Sequence, residues 1–394
     1  MDQSTHAETA VLVSFGEIGT KSRQVRTKMT RRLRNNLTAV LSAREIAAEV
    51  DQRWSRLVVR TDDADAAARA VADAPGVVWA RPSAIVPATV DAVRDALERA
   101  AADHDEGTFA VRANRVGDAA EHDFSSRDLE VEGGRVVGEL TGADVDLDEP
   151  DRTYRVEVRN DRAYVAGTTY DGPGGLPLGT QDPVVALVSG GHDSPVAAWE
   201  LMRRGAPVIP VYVSLGDFGG PDNEARALAT VQRLAEAAPN FDLDLRIVPL
   251  GGVVETLMNE VDETRMLSLR RAMLRVAEAV AEHENAVGIV TGEALGQKSS
   301  QTAANLAVTD AAATLPVHRP LLTCDKPDIV ERARELGTYE DSSMAVGCQQ
   351  VDPEFPETRA TLDGVEAAEP DGLLARAADA ASRLDVVAVD ARDA

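Results

Sequence analysis

The chain has 394 residues, with 66 acidic against 41 Lys and Arg side chains, a net charge of −25 and two cysteines. That length gives room for about two to four domains with sizeable cores. The totals exclude a disulfide-built scaffold and a cysteine-rich metal protein; with no signal peptide and no membrane-spanning run read, a reducing, cytoplasmic setting is expected.

Lysine occurs only at Lys21, Lys28, Lys298 and Lys326. Acidity with few lysines and few aromatics fits a solvated surface adapted to high salt. The lysines that remain are then candidates for positions where their chemistry matters.

In chain order, residues 11–15 read as a strand, 16–20 as a turn and the following stretch to Ser42 as a helix, with strands at 46–50 and 57–60. The helix carries Lys21, Arg23, Arg26, Lys28, Arg31, Arg32 and Arg34, and no acid between 21 and 34. It is a solvated face or a contact for a phosphate backbone. An acidic protein that binds nucleic acid must concentrate positive charge locally, which favours the second reading.

Residues 61–170 read as a second α+β segment. Helices are expected at 65–74 and 90–103, and strands at 77–80, 108–113, 154–158 and 162–168. Arg112, Asn114 and Arg115 form a small basic cluster at a strand end. Asp144, Asp146 and Asp148 mimic a calcium loop but lack its turning glycine, so they read as surface. Residues 171–180 are rich in Gly and Pro and make the best linker in the chain.

Val184-Val185-Ala186-Leu187-Val188 reads as a buried strand, and it runs into Ser189-Gly190-Gly191-His192-Asp193-Ser194. A helix is expected next, with Ser194 as N-cap and Pro195 in its first turn, then a strand at 207–213. Such a strand–turn–helix–strand unit points its turn at a ligand. Two glycines let successive N–H groups converge, and the helix N-terminus adds positive potential, so the turn suits phosphate. No lysine follows the glycines, so this is not a Walker-type loop. An aspartate inside an anion site needs a bridging cation, so Asp193 implies Mg2+.

Beyond it, helices are expected at 223–238 and 264–284 and strands at 243–248 and 287–290. The last strand ends at a polar loop, 291–302. Loops at strand C-termini of an open α/β sheet line its ligand crevice, and the alternation predicts a doubly wound parallel sheet. A helix follows Cys324-Asp325-Lys326. The last thirty or so residues read as one amphipathic helix and a frayed tail.

Five ordered stretches resemble one family. They are Phe15-Gly16-Glu17-Ile18-Gly19-Thr20-Lys21-Ser22, residues 172–179, Ser189 to Ser194, residues 291–302, and Arg319-Pro320-Leu321-Leu322-Thr323-Cys324-Asp325-Lys326. The turn resembles the pyrophosphate loop of ATP pyrophosphatases. The whole set resembles the tRNA 4-thiouridine synthetases, or tRNA uracil 4-sulfurtransferases.

The resemblance implies an N-terminal ferredoxin-like domain (1–60), a THUMP RNA-binding domain (61–170), a linker (171–180) and a pyrophosphatase domain with a helical tail (181–394). It implies adenylation of the 4-oxygen of uridine 8 in tRNA by ATP, then replacement of that oxygen by sulfur. By motif position it implies ATP contacts at Leu187, Val188, Tyr212, Val213, Arg270, Gly292 and Gln301, alongside Ser189, Gly190, Gly191, Asp193 and Ser194 of the loop. It implies a persulfide-reactive cysteine at Cys348. The sulfur donor is then a cysteine desulfurase-like protein or free sulfide, and a homodimer stays open.

Some members carry a rhodanese domain, for which this chain is expected to end too soon, or an iron–sulfur cluster, which two cysteines cannot hold in the usual way. Cys324 starts a helix or serves as a resolving thiol. The alternatives are sulfur supply for the thiamine thiazole or another RNA modification, and a non-catalytic RNA-binding protein.

Replacing Arg26, Arg31 and Arg32 together with Gln should weaken tRNA binding. The log–log salt slope should flatten by about 0.7 to 0.9 for each phosphate that is no longer neutralised. Titrations over a salt series measure it, and an unchanged slope assigns the helix to plain solvation.

Overall fold

The computed structural model describes residues 8–53, 55–104, 107–117, 122–219, 222–342 and 351–389. They form two compact units, Met1–Gly175 and Leu176–Ala394.

The first unit runs β1 (Glu8–Phe15), α1 (Arg23–Ala43), β2 (Glu49–Arg53), β3 (Arg56–Arg60), α2 (Ala64–Ala72) and β4 (Val77–Pro87). It continues with α3 (Val90–Ala100), β5 (Phe109–Val116), α4 (Ser126–Thr141), β6 (Arg152–Arg159), β7 (Arg162–Ala166) and β8 (Tyr170–Asp171). One sheet carries them all, in the order β2-β3-β1-β4-β7-β6-β5, with β8 also on β4. Among the named strands of this sheet, as far as the described residues go, β5 and β6 alone pair in parallel. The first six elements form a βαββαβ arrangement, within which residue 60 is the last of β3. β4 pairs with β1 along one edge and with β7 and β8 on the other.

Helix α4 was not legible because three glycines, Gly133, Gly134 and Gly138, interrupt its sequence and glycine disfavours helix interiors. The missed signal is the capping box, Ser125 with Asp128, ahead of buried Leu129, Gly133, Val136 and Val137. Gly133 has a packing reason: a Cβ there would lie 2.7 Å from Leu97 Cδ1 and 3.0 Å from Val111 Cγ1.

The second unit runs β9 (Val184–Val188), α5 (Asp193–Arg203), β10 (Val208–Ser214), α6 (Asp222–Glu236), β11 (Leu245–Pro249), α7 (Gly251–Glu260) and α8 (Arg265–Glu284). Then come β12 (Ile289–Val290), α9 (Ala303–Asp310), β13 (Val317–His318), α10 (Lys326–Glu335), α11 (Tyr339–Ser342), α12 (Leu362–Ala368), α13 (Leu373–Ala381) and β14 (Asp385–Val387). The sheet order is β13-β12-β9-β10-β11-β14. The five strands before β14 are parallel, as expected. Apolar cores lie on both faces, one with α5, α6 and α10 and the other with α7, α8 and α13. The order reverses between β9 and β12, so the crevice at their C-terminal ends is where a ligand belongs.

Two expectations need correction. The C-terminal stretch holds two helices, α12 and α13, not one, and then a strand, β14, antiparallel to β11; residues 390–394 of the expected tail lie outside the described residues. Helix α5 starts at Asp193 with His192 as N-cap. Ser194 is not the cap, because its Oγ accepts from the Ser189 N–H at 2.9 Å and closes the preceding turn. The Gly/Pro stretch is fastened at both ends: Gly172 and Gly174 donate to Val78 and Val77, and Leu176 and Gly179 to Arg203 and Gly205.

Glu278, buried on α8, accepts Thr314 N–H and Oγ1 at 2.6 Å and Leu315 N–H at 3.0 Å, and Arg275 donates to it as well. Burial alone would raise its pKa. The donors outweigh burial and hold it below the usual carboxylate range. Its stabilisation is therefore present above the unfolded carboxylate's pKa of ~4.3 and fades as pH falls through the folded value. Glu278→Gln should cost about 1.5–3 kcal/mol at pH 7 and far less at pH ~3. Urea unfolding of both proteins at the two pH values checks this, and an equal cost at both refutes it.

Candidate nucleotide site and RNA-facing surface

Strand β9 ends at the turn 189–192, and the turn is tied to itself. Ser189 Oγ lies 3.2 Å from Ser194 Oγ and accepts from Gly191 N–H at 3.3 Å. Neighbours press on it from two sides. A Cβ on Gly190 would sit 3.0 Å from Asn223 Oδ1, and one on Gly292 would sit 2.7 Å from Ser194 N and 2.8 Å from Asp193 C. The loop after β12 thus lies against the turn backbone to backbone.

Asp193 receives Lys326 Nζ on Oδ1 at 2.7 Å and Gln297 Nε2 on Oδ2 at 3.3 Å. Lys326, at the start of α10, thus sets an ammonium beside the Asp193 carboxylate. His192 is half-buried, 3.6 Å from Asp193 Oδ1, with its ring 6.0 Å from that of Tyr339. Burial and Lys326 hold its pKa below the usual imidazole value, so it is neutral near pH 7.

A cavity of about 230 Å³ opens beside the turn. Leu187 of β9, Ser189 of the turn and Asp193 and Ser194 of α5 line it on one side, Arg270, Met273 and Leu274 from α8, and Thr291, Gly292, Glu293 and Gln301 from the loop after β12. Arg270 Nε and Gln301 Oε1 are buried there without a hydrogen-bond partner. A buried donor and acceptor left unmatched point to a polar ligand. Anionic groups suit the turn, and the apolar wall of Leu187, Met273 and Leu274 suits a ring.

Seven of the expected ligand residues therefore meet in one cavity: Leu187, Ser189, Asp193, Ser194, Arg270, Gly292 and Gln301. Val188, Tyr212 and Val213 have buried side chains within the cores. Cys348 lies outside the described residues. Cys324 is a half-buried free thiol packed against the apolar core. Lys326, Gln297, Glu293 and Arg319 were given no role from sequence, although the scarcity of lysine pointed at the first.

In the first unit, Lys21, Arg23, Arg26, Lys28, Arg31, Arg32 and Arg34 are all exposed, while Met29, Leu33, Leu37 and Val40 bury the other face of α1. The arginine pair expected on β5 divides. Arg112 donates to Leu147 O and Arg115 to Phe124 O. Arg112 also lines a cleft of about 310 Å³ on the sheet, with Arg56, Arg81, Arg155 and Trp79; Arg115 is not part of it. The Arg81 guanidinium lies 3.6 Å from the Trp79 ring centroid, and Arg56 lies 4.8 Å from it. Burial and the neighbouring Arg155 lower the Arg81 pKa to about 10, still charged at neutral pH. These arginines sit at alternate positions of different strands, so only the sheet register assembles them.

A switch-point crevice built on Ser-Gly-Gly-His-Asp-Ser defines a nucleotide-binding α/β fold of the pyrophosphate-loop class. The family described as "Thiamine biosynthesis protein (ThiI)" matches residues 179–373, "ThiI ferredoxin-like domain" matches 10–80, and "THUMP domain" matches 87–166. A probable tRNA sulfurtransferase of Halobacterium salinarum is 54% identical over 369 residues, 92% of this chain and 93% of its own. One of Methanosarcina mazei is 36% identical over 363 residues, 90% and 88% of the two chains. The crystal structure of a 4-thiouridine synthetase–RNA complex with bound ATP aligns with a TM-score of 0.81 at 27% identity, over 97% of this chain and 100% of that one. This chain belongs to the tRNA sulfurtransferase family.

Gly292→Ala forces backbone from backbone, since the new Cβ meets Ser194 N at 2.7 Å. ATP affinity should fall at least about tenfold while tRNA affinity holds. Binding titrations with each ligand measure this; wild-type ATP affinity would contradict the close approach.

Proposed function

We propose that this chain is an ATP-dependent tRNA sulfurtransferase that converts uridine 8 of tRNA to 4-thiouridine, releasing AMP and pyrophosphate. The observation that carries the reading is the cavity in which the Ser189–Ser194 turn meets the unmatched Arg270 Nε and Gln301 Oε1. Family membership supplies the substrate class.

The uracil 4-oxygen is a poor leaving group, and adenylation makes it leave as AMP. Turn N–H groups, the N-terminus of α5 and the hydroxyls of Ser189 and Ser194 are assigned to hold the β- and γ-phosphates as charge grows on the departing pyrophosphate. Arg270 is assigned to phosphate oxygens from the opposite wall. Backbone of Leu187, Val188, Tyr212 and Val213, with Gln301, is assigned to the nucleoside. Gly190 and Gly191 shape the turn.

Mg2+ fits this donor set, since it takes one or two carboxylates and completes its shell with phosphate oxygens and water. Asp193 would hold it, sharing its carboxylate with Lys326. When bound, the ion neutralises polyphosphate charge.

Cys348 is proposed as the persulfide carrier on its aligned position. The terminal sulfur attacks carbon 4 and the C–O bond to AMP breaks. A second thiol then cleaves the S–S bond, leaving 4-thiouridine and a disulfide that an external thiol must reduce. The persulfide comes from a cysteine desulfurase-like protein; free sulfide attacking directly needs no S–S step. No helix among the described residues is long and apolar enough to cross a membrane. Contact with the phosphate backbone of tRNA is assigned to α1, to the Arg56–Arg81–Arg112–Arg155 cleft and to Arg115.

Two variants separate the half-reactions. Asp193→Ala should abolish tRNA-dependent pyrophosphate release and keep tRNA affinity. Cys348→Ser should keep pyrophosphate release and lose thiolation, because oxygen carries no persulfide. Pyrophosphate release and nucleoside mass spectrometry read the two steps. Full thiolation by Cys348→Ser with a persulfide donor refutes the assignment.

A further inference from the structure

Glu293 sits one residue past the close approach at Gly292 and is buried. Its two oxygens serve two guanidiniums. Oε1 accepts from Arg270 Nη1, while Oε2 accepts from Arg319 Nε at 2.7 Å and Thr291 Oγ1 at 2.9 Å. Arg319 is almost fully enclosed, and its outer fork grips Asp310 at 3.2 and 2.5 Å. Within this cluster Arg270 Nε is buried with no hydrogen-bond partner, and Arg270 borders the cavity.

Charge gives this pattern its meaning. A buried arginine paired alone with a buried glutamate is a neutral unit with little field left for a phosphate. Here one carboxylate is shared between two guanidiniums, so the trio of Arg270, Glu293 and Arg319 keeps one net positive charge. The compensating acid, Asp310, is nearly half exposed, and water screens it. Geometry agrees. Arg319 and Thr291 hold Oε2, which leaves Glu293 one oxygen to offer Arg270. Arg270 is therefore held by a single N–H, with the rest of its donor fork free to turn to the cavity. Burial would push the Glu293 carboxyl up, but Arg270 and Arg319 outweigh it and keep it ionised.

We propose that Arg319, acting through Glu293, is a positioning residue that keeps the Arg270 guanidinium charged towards the cavity and free to bind the triphosphate of the nucleotide. The proposal rests on reading the cavity as the ATP site. Without Arg319, Glu293 would rotate to take a second Arg270 N–H and neutralise it.

The test uses the full chain with four proteins: wild type, Arg319→Gln, Arg270→Gln and the double variant. ATP binding is measured by calorimetry without tRNA, and KM and kcat by tRNA-dependent pyrophosphate release. Arg319→Gln should weaken ATP binding and raise the KM for ATP by about tenfold or more, with the KM for tRNA unchanged. In the Arg270→Gln background the same change should add almost nothing, since its effect passes through Arg270. A purely structural Arg319 would lower Tm and multiply into the Arg270→Gln defect. Additive effects, or an ATP affinity within about twofold of wild type, overturn the proposal. Should Arg319→Gln not fold, Arg319→Lys replaces it, because an ammonium cannot span Glu293 and Asp310 as a fork does; the same cycle and criteria apply. A wild type that binds ATP but releases no pyrophosphate with tRNA refutes the enzymatic reading and leaves the binding comparison standing.

Discussion

The backbone of Gly292 touches that of Asp193 and Ser194, and no side chain fits between them. This approach joins the two strand ends at the switch point of the sheet. Through it the loop after β12 delivers Glu293, Gln297 and Gln301 to the turn after β9. The Lys326–Asp193 pair adds a third segment, α10, but as a partly exposed pair it contributes little to stability. Its value is orientation: it fixes an acid and a cation at the mouth of an anion site. The packing constraint comes first, and the polar geometry follows from it.

Much of this was legible in the residues. The strand 184–188 has the same bounds in sequence and structure, because a short β-branched run followed by a Gly turn admits few alternatives. Long α8 was clear for the same reason of unbroken helical spacing. Glycine hid α4, where tertiary packing against Leu97 and Val111 overrides a poor local propensity. Strand β14 was invisible because its three residues, Asp385–Val387, owe their conformation to β11. In the site, the turn announced itself through Gly and Ser. Glu293, Arg319 and the Arg56–Arg81–Arg155 face did not, because their meaning lies in side chains brought together from distant segments.

Arginine is the structural cation of this chain. Arg271, almost completely enclosed, joins α8 to Val308 O of α9 through Nη1 and to Glu366 and Glu369 around α12 through Nη2 and Nε. Arg246 spans Asp242, Asp244 and Glu284 in the same manner. A planar fork can serve several acceptors at once where an ammonium serves as a point. The chain keeps only four lysines, and one of them, Lys326, stands beside Asp193, where a point charge can be shared with an incoming anion.

The antiparallel pairing of β14 with β11 has a consequence for synthesis on the ribosome. Leu245 meets Val387, a separation of 142 positions (387 − 245). Until that distance has been translated, β11 presents a bare row of N–H and C=O groups, the kind of template on which neighbouring nascent chains aggregate. The sheet therefore acquires its guard last. The closing strand is short and begins with an aspartate, so it seals the edge without offering a long apolar one in its place.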